Sequence, residues 1–289
     1  MKILITWATW KLWQSVLKNL EWKISKNDVY CLVRDESKKE LCEKYWFNAV
    51  VWNYLDLNSL EKAFDWIDLL YFISSSDLKN RFLQHKNVVD SAKKSWIKHI
   101  IYTSFDRTDS ENSALGFIND DHKKTENYIK DSGLNYTILL HGIYLENIPD
   151  FIWDVSKTKT IFFPAWDAKV AFTSREDLAI ATSNLLLNID ISKNNIYKFI
   201  SSNSYNFYDI SAELTKLYWE KITYIDANID DYSQKLKDFW VPEIYINMWI
   251  LFWTAMKNWE FVDTDNTLEK FLWKKSETII DYLNKVYKI

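Results

Sequence analysis

The sequence predicts an α/β protein in which a parallel β-sheet is covered by helices on both faces, with a smaller α/β lobe in the C-terminal half. Two observations support this prediction. Short apolar runs alternate with helical stretches through the first half of the 289-residue chain, which is typical of repeated β-α units. The first apolar run also leads directly into three residues of one type at three-residue spacing, followed by a helical pattern.

The order of elements follows from this alternation. Strands are expected at residues 2–6, 28–33, 49–51, 69–73, 99–103 and 135–140, with helices at 12–20, 37–44, 57–64, 78–94 and 120–131. Beyond residue 150 the strands and helices are shorter, and no Pro-, Gly- or Ser-rich linker separates the two parts. We expect a first domain over residues 1–150 and a smaller substrate lobe over 151–289, woven onto the first.

The composition of the chain limits the classes of binding partner and the cellular compartment that we expect. The net charge is −4 and no basic stripe occurs, so no nucleic-acid partner is expected. Cys31 and Cys42 are the two cysteines, which favours a reducing, cytoplasmic setting over a disulfide framework. No apolar run reaches the length of a membrane span, and no metal site is predicted.

The repeated residue of the first turn is tryptophan. Trp7, Trp10 and Trp13, with Lys11 and Leu12 between the last two, have the spacing of the glycines in the phosphate-binding loop of a Rossmann fold. In that loop the first two glycines let the backbone turn and approach a pyrophosphate, and the third lets the helix pack close to the strand. An indole does the opposite.

Tryptophan also stands at other positions that favour glycine. Seven further tryptophans fall between elements, at joints that favour left-handed backbone: Trp22, Trp46, Trp52, Trp66, Trp96, Trp219 and Trp240. The chain has 3 Gly and 16 Trp, and a domain of this length averages roughly 20 Gly. We hypothesise that most or all of the tryptophans are glycine in the natural protein, through UGA codons that are read as glycine in some genetic codes. The alternative is genuine tryptophan and a loop that binds no phosphate.

Polar residues after the second and third strands are candidates for the cofactor site. Arg34 follows the second strand, where a basic residue would pair with the 2′-phosphate of NADP. Asp35 comes directly after it, and an acidic residue there would bind the ribose of NAD, so NAD remains the alternative cofactor. A solvated arginine is the alternative. Asn53 and Asp56 follow the third strand, at the place of adenine contacts, and Asp56 is equally well placed as the N-cap of the next helix.

Two hydroxyl clusters end the fourth and fifth strands. The fourth strand ends with Ile73 followed by Ser74, Ser75 and Ser76, and the fifth ends with Tyr102, Thr103 and Ser104. Because ligands bind outside the carboxyl ends of strands in open α/β sheets, both clusters are predicted to adjoin the cofactor, with ordinary turn chemistry as the alternative. The polar residues that follow, Asn80, Arg81, Gln84 and His85, are predicted to form a solvated helix face or to join this site.

Histidines supply the candidates for acid–base chemistry. His122 and Glu126 lie four residues apart on one helical face, a spacing that suits an acid–base pair or, equally, a surface pair. His141 precedes a Gly turn, where it either contacts a ligand or holds the turn by a hydrogen bond.

With tryptophan interpreted as glycine, these motifs resemble the NmrA-like atypical short-chain dehydrogenase/reductase family, and within it the NAD(P)H:quinone oxidoreductase branch. The resemblance is carried by residues 6–13, 73–76, 102–104, 122–126, 136–139 and 144–147 and continues through 165–169 and 173–177. It implies NADP(H), with NAD(H) open, bound at residues 7–13, Arg34, 73–76 and 103–104.

The resemblance also implies the chemistry. A hydride would pass to a small quinone-like acceptor between the lobes, with His122, His141 and Tyr144 as catalytic candidates and no Tyr-x-x-x-Lys acid. A homodimer is an open expectation. A non-catalytic, NADP(H)-binding redox sensor is the alternative function. One departure concerns the acceptor, because the family usually has Arg-Asn-Gly where this chain has Leu140-His141-Gly142.

Overall fold

The computed structural model of the chain describes residues 1–6, 10–107, 113–189 and 193–287, without the side chains of Trp10 and Phe117. Within these ranges no helix is long and apolar enough to cross a membrane. The same residues contain no group of His, Cys, Asp and Glu arranged to hold a metal ion. Cys31 and Cys42 are both buried free thiols.

A parallel sheet forms the centre of the molecule. Its strands are β1 Ile3–Ile5, β2 Val29–Val33, β3 Asn48–Val51, β4 Leu69–Phe72, β5 His99–Phe105, β6 Asn135–His141 and, after β7 Thr160–Phe163, β8 Asn195–Phe199. In the described part of the chain the sheet has seven strands in the order β3-β2-β1-β4-β5-β6-β8. The strand order reverses between β1 and β4, which defines the crevice where such sheets bind ligands.

Helices cover both faces of the sheet. They are α1 Trp10–Leu20, α2 Lys39–Glu43, α3 Leu57–Phe64, α4 Arg81–Lys94, α5 Gly116–Asp131, α6 Ile148–Ile152, α7 Val155–Thr158, α8 Arg175–Leu187, α9 Phe207–Tyr218, α10 Ile229–Asp238, α11 Glu243–Lys257, α12 Thr267–Leu272 and α13 Ile279–Tyr287. Asp56 is the N-cap of α3, because its carboxylate accepts hydrogen bonds from the amides of Asn58 and Ser59.

Strand residues alternate between two apolar clusters. Ile3 and Ile5 lie in the cluster under α1, α8 and α12, whereas Leu4 lies in the cluster under α3, α4 and α5. A third cluster combines the apolar residues of the second half of the chain with Leu115, Ile118 and Ile143 of the first. In the second half β7 pairs in parallel with β9 Thr223–Asp226. The second half also returns to the main sheet, since β8 pairs with β6 and α8 packs against α1.

Tryptophans occupy most of the positive-φ positions. Ten tryptophans in the described ranges have φ between 51° and 68°, and we call them the left-handed tryptophans: Trp22, Trp46, Trp66, Trp96, Trp153, Trp166, Trp219, Trp240, Trp259 and Trp273. The expectation for the joints between elements is confirmed for six of the seven tryptophans named from the sequence. Trp52 is the exception, because it follows a strand and has no positive φ.

The backbone energy at these positions is large. A left-handed conformation costs roughly 1–2 kcal/mol for a residue that carries a Cβ. Ten such residues together cost about as much as the whole net stability of a domain, about 5–15 kcal/mol. Glycine adopts the same conformation without this penalty.

Candidate functional site

Thr6 closes the junction between β1 and β4 at the crevice. It directly follows β1 and is fully buried. Its Oγ1 accepts a hydrogen bond from the amide of Ile73 at 2.8 Å, and its own amide donates to the carbonyl of Tyr71 at 3.0 Å. These bonds fix the carboxyl ends of the two strands between which the strand order reverses.

Serines of the hydroxyl cluster that follows β4 extend this crevice toward β5. The amide of Ser74 donates to Oγ1 of Thr103 at 2.9 Å, which joins the end of β4 to β5. The hydroxyl of Ser75 donates to Oε1 of Gln84 at 2.6 Å, and Nε of Arg81 donates to the carbonyl of Ser75 at 2.9 Å. Ser76 is exposed.

The start of α4 is therefore part of the site. Arg81, Gln84 and His85 are all buried, so the solvated-face interpretation of this polar set is wrong for these three residues. Their side chains hold the loop after β4 against the helix. The sequence marked them as polar residues at a helix start but gave no sign of the fold that buries them.

A cavity of about 210 Å³ lies beyond the ends of β2 and β3. Its lining residues are Arg34, Trp52, Asn53, Tyr54, Asp77 and Gln84. Arg34 is exposed there and forms no ion pair with a described residue, whereas Asp35 accepts a hydrogen bond from the hydroxyl of Ser37. A single cation therefore lies at the mouth of the cavity. Tyr54 and Asp77 were not predicted as site residues, whereas Gln84 belongs to the polar set predicted at the start of α4.

Trp52 crowds this cavity. Its ring centroid lies 3.7 Å from that of Tyr54 at an interplanar angle of 78°, whereas aromatic pairs normally keep about 4.5–7 Å between centroids. Its indole Nε1 is buried and has no hydrogen-bond partner among the described residues. Trp52 is therefore poorly accommodated where it stands.

The predicted phosphate loop is described only in part. Trp7 lies outside the described residues, and of Trp10 only the backbone, which begins α1, is described. Lys11 is exposed on the first turn of α1. Leu12, Trp13 and Ile73 are buried in the core cluster under α1, so only their backbone atoms are available to a bound cofactor.

A buried polar network connects β5 with α5. Oη of Tyr102 lies 2.8 Å from Nδ1 of His122, and the hydroxyl of Ser104 donates to Oε1 of Glu126 at 2.5 Å. The same carboxylate oxygen pairs with Arg107 at 2.9 Å, and both charged side chains are only 9% exposed. His122 and Glu126 are therefore both buried and do not form a surface pair, and each contacts the hydroxyl of Ser104.

Burial keeps the histidines of this region neutral. Desolvation lowers the pKa of His122 well below its usual range, with a further contribution from the charge of Arg81. It lowers the pKa of His141 to about 3. Tyr102 keeps its proton, because burial raises its pKa. Oη of Tyr102 and Nδ1 of His122 therefore share a hydrogen bond between two neutral groups.

The other two catalytic candidates lie at different points of the site. His141 ends β6 opposite Phe105, stacks parallel to Phe199 at 6.3 Å, and has an Nε2 without a partner among the described residues. Tyr144 is half-buried with the guanidinium of Arg175 4.5 Å above its ring. It packs against the cluster under α1 and α8, on the face opposite to His122.

An aromatic cavity of about 240 Å³ adjoins the ends of β5 and β6. Its lining includes Ile143, Asn147, Asp150, Phe151, Tyr232, Trp249, Phe252 and Trp253. Phe252 contacts Phe105 edge-to-face at 6.2 Å between centroids, and Phe105 in turn lies 6.3 Å from the ring of His122. Two successive ring contacts therefore lead from the wall of the cavity to His122.

A doubly wound parallel sheet with hydroxyl groups at its crevice and an arginine at the end of its second strand is a Rossmann-type dinucleotide-binding fold. Residues 1–283 match the pattern of the NmrA-like family, and the chain belongs to that family.

Individual relatives extend over the whole chain. It is 26% identical over 287 residues, 99% of both chains, to quinone oxidoreductase 2 of Escherichia coli. The crystal structure of that NADPH-dependent enzyme complexed with NADPH has a TM-score of 0.90, covering 99% of this chain and 100% of the other at 26% identity. Triphenylmethane reductase of Citrobacter has a TM-score of 0.91 at 24% identity and shares the fold over 100% of both chains.

Proposed function

We propose that this chain is an NADP(H)-dependent oxidoreductase that transfers a hydride to a quinone-like or other electron-poor acceptor. The observation that carries the proposal is the exposed Arg34 at the mouth of a cavity on the carboxyl edge of the sheet. Full-length similarity to an NADPH-dependent quinone oxidoreductase supports it.

The residues of the crevice fit a dinucleotide phosphate. Arg34 would pair with the 2′-phosphate of the adenosine half, and Asn53 and Gln84 would meet its base or ribose. Asp35 is engaged by Ser37 and does not line the cavity, which favours NADP over NAD. The backbone of residues 7–13 would meet the pyrophosphate, and Ser74, Thr103 and Ser104 would adjoin the nicotinamide.

When bound, the cofactor supplies the hydride. The acceptor would occupy the aromatic cavity, where Phe252 and Ile143 exclude water from one wall. A quinone is electrophilic enough to accept a hydride without a strong general acid. His122, His141 and Tyr144 are the proposed catalytic groups, with His122 and Tyr144 on opposite faces of the sheet, and protons come from solvent.

Steady-state oxidation of NADPH with a panel of quinones tests the proposal. The protein is purified from its own cells, so that the result does not depend on the identity of residue 7. We expect turnover that requires an acceptor and is faster with NADPH than with NADH. Tight NADP(H) binding without acceptor-dependent turnover would overturn the proposal and favour the redox-sensor alternative.

Three further expectations belong to this proposal. The lobes divide near residue 150, the enzyme works in a reducing cytoplasm that keeps Cys31 and Cys42 as thiols, and two copies associate as a homodimer. Light scattering of the purified protein measures the last of these directly.

A further inference from the structure

Tryptophan and positive φ coincide in this chain far more often than tryptophan tolerates. Of the twelve non-glycine residues with positive φ in the described ranges, ten are the left-handed tryptophans, and the others are Lys159 and Asn194. Positive φ is found in a few per cent of non-glycine residues, mostly Asn, Asp and His, and is an outlier for bulky ones. At ten positions, therefore, the residue is tryptophan although the backbone has a conformation that favours glycine.

Side-chain packing does not compensate for the backbone. Eight of the left-handed tryptophans have indoles that are 53–95% exposed, with Trp219 at the upper end. An indole that remains in water contributes little burial, so nothing is gained at these positions that would offset a strained conformation. Glycine, which has no side chain, adopts this backbone conformation without strain and leaves no indole in water.

The hydrogen bonds identify the structural motif. After α2 the amide of Trp46 donates to the carbonyl of Glu43, and the next amide, of Phe47, donates to the carbonyl of Cys42. This pair of bonds defines the Schellman motif, whose C′ residue is usually glycine. The same two bonds recur after α4, α10 and α11, with Trp96, Trp240 and Trp259 at C′.

Trp153 is a further tryptophan with a backbone conformation that favours glycine, in a different region of φ/ψ space. It follows α6 with φ 51° and ψ −144°, near a region that is essentially restricted to glycine. Trp52 adds steric evidence, because its ring lies only 3.7 Å from that of Tyr54 and its buried N–H has no partner among the described residues.

We infer that the left-handed tryptophan positions and position 52 carry glycine in the protein as its own cell makes it. The chemical origin is a codon: UGA is read as tryptophan in some genetic codes and as glycine in others. A codon is read in the same way along a whole chain, so positions 7, 10, 13, 249 and 253 carry glycine as well wherever they share that codon.

The two cavities of the site change accordingly. Glycine at position 52 removes an indole from the wall of the nucleotide cavity. Glycine at 7, 10 and 13 restores the spacing of a phosphate-binding loop. Trp249 and Trp253 line the aromatic cavity, so glycine there enlarges it toward a ligand of more than one ring. The inference itself rests on backbone geometry and stands apart from the catalytic proposal.

Two measurements on the natural gene and protein test it. The first determines the codons: we expect UGA at every left-handed position and at position 52, and UGG at any of these would overturn the inference for that position. The second is tandem mass spectrometry of the protein from its native source, with peptides that span residues 22, 46, 96 and 219. Glycine supports the inference, and tryptophan overturns it even if quinone reduction is observed.

A matched pair of recombinant chains isolates the effect on binding. One has the written sequence and the other has glycine at all sixteen tryptophan positions. We expect the glycine chain to be monodisperse and to show a higher thermal midpoint on addition of NADPH, and the written chain to show no such shift. An equal NADPH-dependent shift in both chains would contradict the proposed restoration of the loop.

Discussion

The amide of Ser75 donates a hydrogen bond to Nε2 of His85 at 2.9 Å, and this bond determines the tautomer of a buried imidazole. Because Nε2 accepts, the proton resides on Nδ1, which lies 2.9 Å from Oγ1 of Thr125. The loop after β4, α4 and α5 are thus joined through one neutral ring.

A fall in pH should destabilise the fold through protonation of His85. Burial lowers the pKa of His85 to about 3, whereas an exposed histidine titrates near 6.5. Between these values the unfolded chain binds a proton that the folded chain does not, so this contribution to stability is present above about pH 6.5 and is lost as the pH falls toward 3. His85→Gln keeps an acceptor for Ser75 and does not titrate. We expect thermal midpoints of the variant to fall less steeply from pH 6.5 to 4, and an unchanged slope would contradict the assignment.

Arg34 should determine cofactor choice. Arg34→Ala removes a cation that would form charge-assisted bonds to a 2′-phosphate, each worth roughly 1.5–3 kcal/mol. We expect KM for NADPH to rise roughly 10-fold or more, with little change for NADH. Asp35→Asn is the matched control, because that carboxylate accepts a hydrogen bond from Ser37 and does not line the cavity. Equal losses for both cofactors would remove Arg34 from the 2′-phosphate site.

The buried ion pair between Arg107 and Glu126 should be costly to break from one side. Both side chains are 9% exposed, so Arg107→Met leaves an unpaired carboxylate, and such losses cost about 3–5 kcal/mol. Arg107→Met combined with Glu126→Gln should recover much of this loss. Urea unfolding of the two single variants and the double variant measures the coupling. Additive effects would show that the pair is not coupled.

Two substitutions separate the effect of backbone strain at Trp22 on stability from the effect of its indole ring. This residue is 88% exposed with φ 66°. Trp22→Gly should stabilise the written chain by about 1–2 kcal/mol, whereas Trp22→Ala keeps the Cβ and should change stability by less than about 0.5 kcal/mol. Trp253→Ala is the opposite control, since removal of this buried ring should destabilise by about 3–5 kcal/mol. Equal effects of glycine and alanine at position 22 would argue against strain.

Phe252 should act on the acceptor and not on the cofactor. It lines the aromatic cavity and contacts Phe105 at the end of β5, whereas Arg34 lines the other cavity. Phe252→Ala should raise KM for quinones several-fold and leave KM for NADPH unchanged. Leu83→Ala on the exposed face of α4 is the control. A change in KM for NADPH would place the cavity on the cofactor side.

The sequence predicted the main sheet well, because buried parallel strands appear as short apolar runs. β1, β4 and β5 lie within two residues of the predicted bounds, and the predicted helix 57–64 coincides with α3. The pattern did not show that β8 joins this sheet, since pairing over a long sequence distance leaves no local signal. The short helices α6, α7 and α12 were missed for lack of a full amphipathic period.

The candidate site was predictable in position but not in detail. Their positions at the carboxyl ends of predicted parallel strands placed Arg34, Ser74 and Thr103 along one edge of the sheet before any geometry was known. The burial of Arg81 and His85 could not be foreseen, because α4 shows no clear apolar face and its polar residues are covered by a tertiary contact. Trp52 was assigned to a helix-to-strand joint, and its close contact with Tyr54 depends on how β3 meets the crevice.

The left-handed tryptophans have a practical consequence for anyone who clones this gene. If the tryptophan codons are UGA, a host with the standard code stops translation at the first of them, position 7, and releases a peptide of six residues. A suppressor host that inserts tryptophan would instead make a full-length chain with at least eight indoles in water, which favours aggregation. Expression of the glycine chain in such hosts therefore requires a gene resynthesised with glycine codons.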